Sequence, residues 1–475
     1  MKKLKVAVIG AGPAGLTAAY TLAKSENIDV HLYEAAPHVG GMSASFDLWN
    51  QIVDIGPHRF FSSDPRVNEL WLEVIERDYV MVNRLTRIFY RNRFFYYPLK
   101  AFNALWNLGF IRAAMCVLSY AWRRLAPYKD ESNFEAWVSN RFGDRLYRIF
   151  FKTYSEKLWG IRCDDLDADF AAQRIKKLSL YEAIKKALFQ GKGNKHKTLV
   201  DQFAYPTKGT GSVYEKMAKK FEENGGKLFL KTPIKRVTLS NHQATGIIRE
   251  DDSFEDYDHV ISSMPLTLMV SRLDGVPSIV QEACSKLSFR NTIIVYLRIE
   301  GENLFPDQWL YVHSDNLAMG RVTNFSNWTP TLQRGEKDTI LALEYWCYEK
   351  DDFWKMSNED LINQATREIT ATGLHKNCPI VSGHVLRVNR SYPVYDSLYK
   401  ENVQVIETYL RTLKGLDVIG RYGAFKYNNQ DHSILMGLFA AENLIEGKLK
   451  NDLWSINTDY EYQESSTITE SGLVY

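Results

Sequence analysis

Lys5–Leu16 reads KVAVIGAGPAGL. Lys5 to Ile9 has the character of a short, fully buried strand. Gly10-Ala11-Gly12-Pro13-Ala14-Gly15 turns the chain, and Leu16 to Lys24 continues as a helix. A second strand, Val30 to Tyr33, ends at Glu34. This is a βαβ opening, and it sets the α/β class. The glycines fit G-x-G-x-x-G in the context that gives the pattern its meaning, between a strand and a helix and ahead of an acid closing the next strand. Gly10 permits the tight turn, and Gly12 lets backbone approach a pyrophosphate. Gly15 lets the helix pack closely on the strand, and the helix N-terminus stabilises phosphate charge. Glu34 would accept hydrogen bonds from the adenosine ribose.

The rest of the chain is consistent with a large soluble enzyme. Its 475 residues are the length of two or three domains or of one large multi-lobed enzyme, and 45% hydrophobic with 24% charged residues is ordinary globular composition. Lys+Arg of 59 against Asp+Glu of 57 gives a net charge of +2. That balance argues against nucleic acid as a partner. Cys116, Cys163, Cys284, Cys347 and Cys378 form no CxxC pair and no even framework. They read as buried thiols in a reducing cytoplasm, and no metal site is expected. The start, MKKLK, runs into a glycine-rich segment rather than a signal peptide. Ala101 to Leu125 is apolar but interrupted by Asn103, Asn107, Gly109 and Arg112, so it offers no span of about 20 apolar residues. It reads as a buried helix. Peripheral membrane contact through a surface helix ending at Arg123-Arg124 is the lesser alternative. Further helices are expected at Val67–Arg77, Phe134–Phe142, Asp144–Lys157 and Ser433–Leu449. Strands are expected at Arg87–Phe95, Val260–Ser263, Asn291–Ile299 and Thr339–Tyr348. Gln190 to Lys197, QGKGNKHK, reads as a solvated loop, with a mobile lid as the alternative.

Gly40-Gly41, followed by Met42, stands shortly after Glu34. A second glycine pair at that distance resembles the extended fingerprint of FAD proteins of the amine-oxidase and glutathione-reductase type. Val260 to Pro265, VISSMP, resembles a strand and turn near the flavin in the same proteins. The resemblance implies FAD as cofactor.

A longer series of motifs narrows it. Gly56-Pro57-His58, Tyr97-Pro98, Arg145 to Gly160 (RLYRIFFKTYSEKLWG), Tyr205-Pro206 with Gly209 and Gly211, Gly320 to Asn327 (GRVTNFSN), Tyr392-Pro393, and Gly420 to Ser433 (GRYGAFKYNNQDHS) occur in order. Together they resemble the UDP-galactopyranose mutases, with the last block closest to eukaryotic-type members. The resemblance implies that N5 of reduced FAD attacks the anomeric carbon of a nucleotide-diphosphate sugar and UDP leaves. UDP returns after the ring recloses with the other size, with no net redox change. NAD(P)H is a candidate reductant. Arg321 and Arg421 correspond to arginines that hold the diphosphate, a role suited to planar, permanently charged donors. Arg174 corresponds to the mobile-loop arginine. Tyr392 and Tyr427 match tyrosines at the diphosphate or sugar, and Asn429 a position near flavin and sugar. Phe150, Phe151 and Tyr154 match the helix that receives the uracil, Trp159 lies near the sugar, and Tyr97 joins the substrate set. His58 matches a histidine on the loop over the flavin. Gly56, Gly420 and Ser433 complete the cofactor set. Phe61 and Lys100 depart from the family pattern.

The implied architecture is a discontinuous Rossmann-type FAD-binding domain (1–64, 200–280 and 400–450), an antiparallel β-sheet substrate domain (65–100 and 281–399), a helical domain (101–199) and a polar tail (451–475). The alternative function is an FAD-dependent oxidoreductase resembling protoporphyrinogen oxidases, desaturases or amine oxidases, for which Arg321 and Arg421 would be incidental. Which sugar and nucleotide are used, and the oligomeric state, stay open at this level.

Overall fold

The structure, a computed structural model, describes residues 3–97, 99, 101–169, 202–456 and 467–474. The chain divides into two compact units. Unit 1 comprises Met1–Val82, Phe203–Ser288 and Tyr399–Tyr475; unit 2 comprises Asn83–Gln202 and Phe289–Leu398.

Unit 1 is built on a five-stranded parallel sheet, ordered Leu416–Val418, His259–Ser262, Leu4–Ile9, Ile28–Tyr33 and Lys227–Phe229. The central strand is apolar along its buried length because both of its faces are covered. The helices Pro13–Ala23, Gly211–Glu223 and Gln430–Glu446 pack here. Gly437 makes the closest of these approaches possible: a Cβ there would lie 2.4 Å from the Ala14 carbonyl oxygen. A three-stranded antiparallel sheet (Ile234–Ser240, Gln243–Arg249, Phe254–Asp256) and a hairpin (Ser45–Leu48 with Gln51–Asp54) complete the layer. Residues 65–82, expected in the substrate sheet, belong to unit 1 instead. Their helix Pro65–Ile75 buries Trp71, which stacks on Phe60. The tail also carries structure: Thr467–Thr469 pairs with Gly472–Val474, and the Tyr79 hydroxyl donates to the Thr469 carbonyl at 2.6 Å.

Unit 2 holds a seven-stranded sheet, ordered Ile380–Pro393, Phe289–Ile299, Thr339–Cys347, Arg321–Asn324, Trp309–Val312, Thr86–Tyr90 and Arg93–Tyr96. Every pairing is antiparallel except that of Trp309–Val312 with Thr86–Tyr90. The single strand expected over Arg87–Phe95 is a hairpin. Arg91 and Asn92 take positive φ (49° and 59°), the geometry of a two-residue turn, without the glycine that usually announces it. The helices group with this sheet rather than forming a unit of their own.

Two helical expectations change. Asp144–Trp159 runs as α-helix to Tyr147, π-helix over Arg148–Lys152, and α-helix again from Thr153. The apolar stretch after Ala101 is two helices, Ala101–Leu108 and Phe110–Leu125, broken at Gly109 (φ +80°). It is not a buried helix: the second member buries only Ala113 and Cys116. Among the described residues no helix is long and apolar enough to cross a membrane. All five cysteines are free; Cys116, Cys163 and Cys347 are buried, whereas Cys284 and Cys378 are partly exposed. The loop Gln190–Lys197 lies outside the described residues.

Candidate functional site

In unit 1 the glycine loop adopts the conformation its residues permit. Gly10 has φ +95°, and a Cβ there would meet Ser263 Oγ at 2.3 Å. A Cβ on Gly15 would lie 1.9 Å from the Gly10 carbonyl oxygen, so the helix can start this close to the strand only with glycine. Gly12 caps the helix Pro13–Ala23 with no side-chain acceptor, leaving the first-turn N–H groups to a ligand. Glu34 accepts hydrogen bonds from the N–H groups of Ala11 (2.7 Å) and Ala36 (2.8 Å). These fix the carboxylate beside the loop and leave each oxygen a further lone pair for a ribose hydroxyl. Gly40 donates to the Ala11 carbonyl at 2.8 Å, and a Cβ on Gly41 would sit 3.2 Å from Gly12 Cα. The second glycine pair is therefore folded onto the first loop, and Met42 follows in the short 3-10 turn Gly41–Ser43.

The segment Gly420–Ser433 joins this cradle. Gly420, at φ +84°, approaches Ala14 so closely that a Cβ would be 2.9 Å from that of Ala14. Arg421 Nη1 donates to the Asn428 carbonyl at 2.8 Å, and its guanidinium lies over the Tyr427 ring at 4.3 Å. Asn429 forms a capping box with His432 at the start of the helix Gln430–Glu446, and Ser433 sits in its buried first turn. His58 follows Gly56 (φ +86°) and donates from Nε2 to the Ile55 carbonyl at 2.7 Å, holding its own turn. Beneath that turn is a group the sequence reading missed. Asp54, fully buried, accepts from Ser45 Oγ (2.5 Å), the Tyr205 hydroxyl (2.7 Å) and Thr210 N–H (3.2 Å). Burial outweighs those three bonds and pushes its carboxyl up to about 6. Gly209 and Gly211 have no room for side chains against Ser45 and Asp54, which explains their place in the motif.

In unit 2 a second constellation forms around Arg321. Arg321 and Glu344 face each other across adjacent antiparallel strands. Nε and Nη2 of Arg321 both donate to the Glu344 carboxylate, Nε at 2.6 Å, and Nη2 also reaches the Tyr392 hydroxyl at 3.5 Å. Burial alone would lower the pKa of Arg321, but the buried Glu344 charge more than offsets it and holds the guanidinium firmly protonated. Rings surround it. Trp346 lies 5.9 Å from the guanidinium, Tyr154 is edge-on to Trp346 at 5.6 Å, and Tyr392 is edge-on to Trp346 (6.2 Å) and Trp159 (6.3 Å). Tyr154 stacks on His313 at 4.9 Å and meets Tyr311, which in turn meets Tyr97. Burial and then the Lys157 charge push His313 down to about 3, so Tyr154 stacks on a neutral ring. Lys157 itself, lowered to about 8 by burial, donates to the carbonyls of Ser314 (2.6 Å) and Val312 (3.2 Å) and fixes that loop.

The structure thus brings together Arg321, Tyr392, Tyr154, Trp159 and Tyr97. It places Phe150 and Phe151 otherwise: Phe150 is buried against Phe95 (5.0 Å), and Phe151 packs on Phe142 (5.1 Å). Both lie in the π-helical turn, which shifts the phase of the helix by one residue and ends the simple three- and four-residue spacing. Arg174 and Lys100 lie outside the described residues. Sequence reasoning missed Glu344, Tyr311, His313 and Trp346. Glu344 had a signal, a lone acid inside the apolar strand TILALEYWC, all of whose residues are buried. Such an acid needs a cation opposite.

Comparison with known proteins agrees with the cradle. The family described as flavin containing amine oxidoreductase matches residues 13–393, and the chain belongs to that family. The glycine loops and Glu34 fit FAD, and FAD is its cofactor. The crystal structure of reduced UDP-galactopyranose mutase shares the fold with a TM-score of 0.84, 21% identity and 97% of each chain covered. A putative protoporphyrinogen oxidase from Exiguobacterium sp. 255-15 shares it at a TM-score of 0.73, with 15% identity over 94% of this chain and 100% of that one. Coproporphyrinogen III oxidase of Staphylococcus aureus is 24% identical over 287 residues, 55% of this chain and 60% of that protein's length. The chain is therefore a flavoprotein of this family in fold and cofactor.

Proposed function

We propose that the protein is a redox-neutral mutase interconverting the pyranose and furanose forms of a nucleotide-diphosphate sugar of the UDP-galactose kind, serving cell-surface glycan biosynthesis in the cytoplasm. The observation that carries this reading is Arg321. Its Nε and Nη2 are spent on Glu344, while Nη1 makes no hydrogen bond to a described residue. A guanidinium locked by a buried carboxylate and walled by Tyr392, Tyr154 and Trp346 is a preorganised donor for a diphosphate oxygen. The fold likeness to reduced UDP-galactopyranose mutase over nearly the whole chain supports the same reading. Bound reduced FAD would supply the nucleophile that exchanges with the diphosphate at the anomeric carbon, with NAD(P)H as reductant.

The residues of this chain then take distinct tasks. Arg321 stabilises the departing diphosphate. The Tyr392 hydroxyl orients it, and Trp159 with Tyr97 and Tyr154 bounds the sugar and base. Phe150 and Phe151 shape the helix that carries Tyr154. Asn429 and His58 hold the loops that carry the cofactor contacts. A second reading, an oxidase of the protoporphyrinogen type, is favoured by the match to the staphylococcal enzyme. The two separate in one experiment. Purified protein is given UDP-galactofuranose with its flavin oxidised, then reduced by dithionite. Turnover in the reduced state alone supports the mutase. No turnover, with no change of the flavin spectrum on adding UDP, overturns it in favour of the oxidase.

A further inference from the structure

The helices Ala101–Leu108 and Phe110–Leu125 of unit 2 carry a surface that the flavin chemistry does not use. Trp106, Phe110, Ile111, Leu118, Trp122 and Leu125 are between 63% and 88% exposed. Scattered exposed apolar residues need no explanation, but this many on adjoining helical turns form a contiguous patch. At about 100° per residue, the exposed apolar positions of Phe110–Leu125 fall within an arc of roughly 160°. Ala113 and Cys116, the two buried positions, lie on the opposite side. Arg124 borders the arc on one edge and Arg112 stands beyond the other, both exposed. Long cationic side chains at those positions can lay their stems along an apolar surface and raise their charge to a polar boundary.

Charge decides which partner fits. The helices Ala101–Leu108 and Phe110–Leu125 contain Arg112, Arg123 and Arg124 and no Asp or Glu, and Lys129 beyond them is followed by Asp130 and Glu131. Arg123 is engaged by Asp144, leaving Arg112 and Arg124 for a ligand. A second copy docked through the same patch by twofold symmetry would set these cations against their own equivalents, with no acid in the segment to compensate. An anionic lipid surface complements them. It also takes two tryptophans, at Trp106 and Trp122, at the depth where indole rings are favoured.

We propose that this helix pair is a monotopic membrane-docking element, lying in the head-group region of an anionic bilayer with Phe110, Leu118 and Trp122 toward the acyl chains and Arg112 and Arg124 at the phosphates. The test is flotation of the full-length holoprotein with phosphatidylcholine vesicles containing or lacking phosphatidylglycerol. The expected result is at least about fivefold more protein floating with the anionic vesicles, reduced by added salt. Leu118→Asp and, separately, Arg124→Glu should abolish most of that binding, with the flavin spectrum unchanged as the check on folding. Absence of flotation with the wild-type protein overturns the proposal. So does sedimentation showing a dimer that Leu118→Asp dissociates while vesicle binding stays at background, which would assign the patch to a second copy.

Discussion

Arg321 has two possible employments, and a pair of substitutions separates them. If its only task is to neutralise Glu344, it is a structural ion pair. If it also grips a diphosphate, the pair is a device for aiming Nη1. The side chains are 15% and 3% exposed, so the pair is essentially buried. Breaking it with Arg321→Met leaves the Glu344 charge uncompensated and should cost about 3–5 kcal/mol of stability. Replacing both partners, Arg321→Met with Glu344→Leu, removes the charge together with its partner. Such exchanges are often neutral or stabilising, so unfolding should return close to the wild-type midpoint. Ligand binding should behave differently. A hydrogen bond to a charged group contributes about 1.5–3 kcal/mol, so UDP affinity should fall roughly 10- to 150-fold in the double variant, although its fold is restored. The assay is titration of the reduced holoprotein with UDP, read from the flavin spectrum, beside thermal unfolding of the same samples. A double variant that regains both stability and wild-type UDP affinity would refute the diphosphate role, and Arg321 would then be structural.

Further outcomes follow from other sites. Gly15→Ala forces a Cβ onto the Gly10 carbonyl oxygen, so the variant should purify with little or no flavin, seen in its visible absorbance relative to protein. Asp54 titrates near pH 6 in the folded state against an ordinary 3.8. Because the folded value is the higher one, its contribution is intact in acid and is lost as pH rises through about 6, about 3 kcal/mol in all. Wild-type stability should therefore fall relative to Asp54→Asn between about pH 4 and pH 8, and parallel urea-unfolding profiles for the two proteins would contradict the shift. Tyr154→Leu removes an aromatic face between His313, Tyr311 and Trp346; UDP binding should weaken by about 0.5–1.5 kcal/mol, and equal UDP titrations would place Tyr154 in the core alone.

The cradle was legible because its logic is local. Gly10, Gly12, Gly15 and Glu34 lie within one βαβ unit, where Gly10 takes a positive φ and Gly15 leaves room for the Gly10 carbonyl. The Arg321 site was only half legible. Arg321, Tyr392 and Trp159 carry motif context, whereas Glu344 is joined to Arg321 by strand register, which no spacing in the chain encodes. Phe150 and Phe151 show a different limit. Helical periodicity predicts where a side chain points only while the turn stays at 3.6 residues, and the π-turn at Arg148–Lys152 breaks that premise. Ala101–Leu125 reads as one buried helix, yet Phe110–Leu125 is largely exposed, because an apolar stretch does not say what it will be apolar against.

The order of strands in unit 1 also bears on how the protein is made. The sheet ends on Leu416–Val418, paired to His259–Ser262, and the helix Gln430–Glu446 packs on Pro13–Ala23. A ribosome must therefore deliver more than 400 residues before the first-made strand and helix meet their last neighbours. Until Gly420 reaches Ala14, the glycine loop stands without one of its walls. Flavin capture should accordingly be a late event, after Gly420 and the helix that follows it have been made. Nascent chains halted before residue 416 should hold no FAD, however complete their N-terminal fingerprint.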